Sequence, residues 1–97
     1  MRPVDPEQDP RVQELRARIT EADRALLAAV NARLGLVREL RTHKLEQGWA
    51  FVDRLREEQL LDALARENPG PLTETGLREL FSAVLALTKR EVAGDSS

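Results

Sequence analysis

From Val12 onward the chain repeats apolar residues at intervals of three and four: Val12, Leu15, Ile19, Ala22, Leu26, Val30, Val37 and Leu40. That spacing is the seam of an amphipathic helix. The start is marked by Asp9-Pro10, an N-cap residue followed by a proline whose fixed φ and missing N–H suit the first helical position. Gly48 supplies the stop, so the pattern predicts a helix from residue 10 to about residue 47. Gly35 interrupts it at a cost of about 1 kcal/mol. A second helix is expected from a cap at Asp53 to about Glu67, with Leu60, Leu61 and Leu64 as its apolar positions. Asn68-Pro69-Gly70-Pro71 breaks the chain. Thr73 then caps a third helix carrying Leu77, Leu80, Phe81, Val84, Leu85, Leu87 and Val92. Residues 1–9 are expected as a flexible lead-in, 10–93 as one helical domain and 94–97 as a fraying tail. The fold class is all-α, three helices per chain.

Length carries the next inference. A helix over 10–47 is roughly 55 Å long at 1.5 Å per residue. A compact globule of this size has a diameter of a little over roughly 30 Å. Two shorter helices do not cover such a rod, so the exposed remainder of the seam calls for a second copy of the chain. The expectation is an intertwined homodimer with the two long helices packed antiparallel.

The seam contains two residues that do not belong in an apolar stripe. Arg33 and Lys44 occupy it eleven residues apart, three helical turns to within about 20°, so they point the same way. A buried charge is costly unless an opposite charge meets it. Either the two side chains snorkel to solvent from the seam's edge, or they face a ligand with two or more negative or electron-rich ends. Arg16 lies roughly 25 Å along the axis from Arg33. It is an ordinary solvated arginine, or, in an antiparallel dimer, a residue that reaches the partner's ligand. On the second helix Glu57 sits mid-stripe where leucine would be expected, and is read either as a ligand contact or as the partner of a nearby arginine. Asp53 is first a cap, and Arg56 adds a cation near it. Thr88 falls between Val84 and Val92 in the third stripe, where a hydroxyl usually bonds back to the preceding turn. His43 is read as a surface residue.

Composition narrows the function classes. Hydrophobic residues are 41% and charged residues 33%, with three aromatics, Trp49, Phe51 and Phe81. The net charge of −2 argues against a nucleic-acid coat, which shows a basic face. There is no cysteine and a single histidine, which gives no basis for a disulfide framework or a thiolate or imidazole metal centre. No apolar run suits a signal peptide or membrane span, so the expected location is cytoplasmic.

The order Leu15-Arg16-x-x-Ile19, Asp23-x-x-Leu26-Leu27, Arg33, Lys44 and Val52-Asp53-x-x-Arg56-Glu57 resembles the all-helical chorismate mutases. The spacing holds without a gap from Leu15 through Leu61, and with a one-residue adjustment in the Pro/Gly turn through the third helix. Isochorismate pyruvate lyase shares the fold and the cations, but the Asp-x-x-Arg-Glu segment is more similar to the mutase. A non-catalytic helical dimer is the other alternative.

The resemblance implies a domain-swapped homodimer with two shared active sites and no cofactor or metal. It implies that Arg16 binds a substrate carboxylate in the partner's site and Arg33 the other carboxylate. Lys44 would contact a carboxylate and the ether oxygen. Asp53 and Glu57 would meet the ring hydroxyl end with Arg56 in support, and Thr88 matches a small hydroxyl position. Lys44, Arg33 and Glu57 are the expected catalytic set. The family usually has Gln or Glu, a second donor to the ether oxygen, where this chain has Val92. Losing such a donor costs on the order of 10²–10³ in rate. Either another group substitutes, or Lys44 acts alone, or the free enzyme is weak and an enzyme of the same pathway activates it. The helix-three register is a further alternative, with Glu91 adjacent but about 100° round the helix.

Overall fold

The computed structural model describes residues 5–93. Met1 to Val4 and the tail from Gly94 lie outside the described residues. A 3₁₀ turn at Pro6–Gln8 precedes three helices, α1 (Pro10–Gln47), α2 (Arg54–Glu67) and α3 (Glu74–Ala93), with no strand among the described residues. The fold is all-α.

Each boundary has a local cause. Asp9 Oδ1 accepts from the backbone N–H of Arg11 at 2.8 Å and of Val12 at 3.1 Å, satisfying two of the orphan donors at the start of α1. At the other end Gly48 takes φ +75°. There the Gly48 N–H reaches Leu45 O at 3.1 Å and the Trp49 N–H reaches Lys44 O at 2.8 Å. This is the paired pattern of a Schellman stop, and glycine adopts it without a Cβ penalty. Asp53, in extended conformation, caps α2 by accepting the Arg56 N–H at 3.0 Å. Asn68 closes α2 and organises the turn after it, accepting from Gly70 N at 3.0 Å and donating to Leu72 O at 2.7 Å. Thr73 Oγ1 accepts the Gly76 N–H at 3.0 Å and opens α3.

Two compact units divide the chain, one ending at Arg33 and one beginning at Leu34. The first holds the 3₁₀ turn and the N-terminal part of α1. None of its described residues is buried, and Ile19 is 58% exposed on the predicted seam, with Leu15 and Leu26 also exposed. Arg11 with Glu14, Arg16 with Glu7 and Arg24 with Glu21 form surface ion pairs on it. Such pairs contribute little to stability.

The second unit holds the end of α1, with α2 and α3. Arg78 Nη2 meets Asp62 Oδ1 at 3.1 Å, and Lys89 Nζ meets Glu57 Oε1 at 2.7 Å. The later residue of α2 pairs with the earlier residue of α3, so the two helices form an antiparallel hairpin. Its buried residues are Leu77, Thr88 and Val92, all on α3. Leu60, Leu61, Leu64, Phe81, Val84 and Leu85 are half-buried around them.

Candidate functional site

The expected site residues fall into several local settings. Arg16, on the first unit, is exposed and paired with Glu7 of the 3₁₀ turn. Arg33 is half-buried at the end of that unit. All the other expected residues belong to the second unit.

Lys44 is half-buried in the last turn of α1, and its Nζ donates to Phe51 O at 3.2 Å. The aliphatic stem lies in the helix seam and the ammonium turns toward the connector before α2. A lysine at a helix C-terminus is also favoured by the helix dipole. His43 beside it is exposed, its ring edge-on to Trp49 with centroids 6.0 Å apart.

Asp53 follows the connector, with Oδ1 committed to the α2 cap. One turn on, Glu57 is only 24% exposed at its side chain and is held by Lys89. One of the two sequence readings of Glu57 pairs it with a nearby arginine. The partner is instead a lysine on α3, 32 residues away, which only the antiparallel packing of α2 and α3 brings into reach. Nothing in the spacing of either helix marks this pairing. Arg56 is exposed and contributes its backbone N–H to the cap.

Glu57 and Lys89 line a groove of about 590 Å³ between α2 and α3, with Arg54, Glu58, Leu61 and Arg90 among its walls. Lys44 and Thr88 are not part of those walls. Thr88 is buried, and its Oγ1 donates to Val84 O at 2.6 Å, the back-bond expected of a hydroxyl in a helix stripe. Val92 has no exposed surface and sits beside Arg38, Arg41 and Thr42 of α1, around a smaller space of about 250 Å³. Glu91 is exposed, so it is Val92 that faces inward on α3.

This arrangement offers fixed cations and carboxylates rather than a nucleophile beside a base. Among the described residues no group of three or more His, Cys, Asp or Glu is placed to hold a metal ion, and no helix is long and apolar enough to cross a membrane.

No curated protein matches the chain. The family model for chorismate mutase type II matches residues 15–92. The chain is similar to two solved structures of chorismate mutase from Thermus thermophilus. Form II is 31% identical, with 86% of this chain and 94% of that chain covered and a TM-score of 0.82. Form I is 33% identical, with 80% and 98% covered and a TM-score of 0.79. The match runs from Leu15 to Val92 and so spans every expected site residue from Arg16 to Val92; this chain belongs to the chorismate mutase type II family.

Proposed function

We propose that this isomerase of the chorismate mutase family converts chorismate to prephenate in sites shared between two copies of the chain, with Lys44 as the principal catalytic residue. The family match across residues 15–92 carries the reading, because every proposed site residue lies inside it. Arg16 of the second chain and Arg33 bind the two carboxylates. Lys44 contacts a carboxylate and the ether oxygen. Asp53 and Glu57 receive the ring hydroxyl, Arg56 supports them, and Thr88 and Val92 line the α3 side.

The chemistry suits such groups. The rearrangement breaks an ether C–O bond as a C–C bond forms, with no nucleophile and no proton transfer. An enzyme can accelerate it by holding the dianion in its compact conformer and by stabilising negative charge on the ether oxygen as the bond breaks. Fixed cations do both without reorganising at the moment of reaction. What supports Lys44 in this role is that it is half-buried in the last turn of α1 with its ammonium turned toward Phe51 O. With Val92 in place of an amide or carboxyl donor, Lys44 carries the ether oxygen. That leaves room for activation by another enzyme of the pathway, measured as turnover with and without it. The reading includes a cytoplasmic location, which the cysteine-free composition fits.

Purified protein incubated with chorismate is expected to consume it, followed as loss of its ultraviolet absorbance, with prephenate as product. Lys44→Ala is expected to lower kcat/KM by about 10²–10³ or more. Chorismate that persists at high protein concentration sinks the proposal. Release of pyruvate from isochorismate, run in parallel, would assign the lyase reaction instead.

A further inference from the structure

The structure assigns Lys89 a positioning role in this site: it neutralises Glu57 and fixes its carboxylate, so that Glu57 can accept the substrate's hydroxyl without repelling a dianion. The inference rests on the reading of Glu57 as a substrate contact. A carboxylate in a site for a doubly negative ligand is an electrostatic liability unless a cation is dedicated to it. Lys89 Nζ lies 2.7 Å from Glu57 Oε1, a charge-assisted distance. The Glu57 side chain is 24% exposed and that of Lys89 42%, so the carboxylate is the more sheltered partner. The pair engages one carboxylate oxygen of Glu57 through Nζ and leaves acceptor capacity on the other.

The surrounding charges point the same way. Arg54, Lys89 and Arg90 line the groove against Glu57 and Glu58. Three cations against two carboxylates leave one net positive charge, and without Lys89 the balance is zero with Glu57 uncompensated. On α3 Arg90 also lines the groove, but the ion pair to Glu57 is made by Lys89, and the other neighbouring positions supply no cation. Thr88 is buried and bonded back to Val84 O, Val92 is fully covered, and Glu91 is acidic and exposed. Lys89 is the side chain that α3 extends to Glu57.

A purely structural cross-link would look different, and the same hairpin contains one. Arg78 joins Asp62 across α2 and α3 at 3.1 Å, away from every proposed substrate contact. Steady-state kinetics with chorismate on the full chain separate the two roles, with thermal unfolding measured on each variant. Lys89→Met is expected to raise KM about tenfold with kcat changed less than about threefold, the size of one charge-assisted contact. Lys89→Gln serves the same purpose if the methionine variant does not fold. Lys89→Arg restores KM. In a Glu57→Gln background, where no charge needs compensating, Lys89→Met shifts KM less than about twofold. Arg78→Met lowers the unfolding midpoint and leaves KM unchanged. Wild-type KM in Lys89→Met and Lys89→Gln overturns the inference, as does an equal KM shift with and without the Glu57 charge, or the same shift in Arg78→Met. If Glu57→Gln itself has wild-type kcat and KM while Lys44→Ala is inactive, the Glu57 contact is wrong and this inference falls with it, but the mutase assignment stands.

Discussion

Val92 lies at 0% exposure on the inward face of α3, one turn beyond a threonine that already satisfies its own hydroxyl. Replacing it with glutamine, one of the two residues the resemblance leads one to expect there, would place an amide in a space bounded by Arg38, Arg41 and Thr42. An amide buried with incomplete partners costs about 1–3 kcal/mol. Val92→Gln is therefore expected to lower the thermal midpoint of the free protein, by roughly 4–8 °C per kcal/mol for a domain of this size. An unchanged midpoint would show that the surroundings satisfy the amide. At this scale the stripe pattern marks the charges that enter inward-facing positions. Arg33, Lys44 and Glu57 interrupt apolar stripes, and all three are half-buried. What one-dimensional spacing did not disclose is which opposite charge Glu57 meets.

The helices themselves were legible because their boundaries are local chemistry. Asp9, Gly48, Asp53 and Thr73 each act through hydrogen bonds to backbone atoms within a few residues, which a sequence contains in full. Asp53 has both a structural and a proposed chemical task, and two substitutions separate them. Asp53→Asn keeps an oxygen acceptor for the Arg56 N–H, so its stability should stay near wild type while turnover falls. Asp53→Ala loses the cap as well, and is expected to cost about 1 kcal/mol in urea unfolding in addition to activity. Equal activity in wild type and Asp53→Asn would leave Asp53 as a cap only. The α2–α3 pairing was not legible, since it joins positions 32 residues apart through side chains whose meeting depends on how the helices cross.

At the level of the whole molecule, α1 has no buried residue over its 38 positions. Leu15, Ile19 and Leu26 keep an apolar stripe open along its N-terminal part. A stripe of that kind exposed in one chain is the surface a second copy would cover. Sedimentation is expected to show a dimer, with a thermal midpoint that rises with protein concentration. Function offers a sharper check. Arg16→Ala and Lys44→Ala proteins should each be inactive, and should regain activity on mixing under conditions that exchange subunits, because mixed dimers contain one site with both residues intact. Failure to recover activity after demonstrated exchange counts against a site shared between chains.

Periodicity, caps and breakers determined by themselves the all-α class, the three helices and the positions at which charge enters apolar stripes. Those properties depend on residues within one or two turns of each other. The resemblance in spacing pointed to the chorismate mutases, and the family match confirms it. Only the tertiary structure decided that Lys89 stands against Glu57, that Val92 is sealed inward and that Lys44 turns its ammonium to Phe51 O. These arrangements are brought about by packing, and their energies depend on distance and burial that no linear pattern contains.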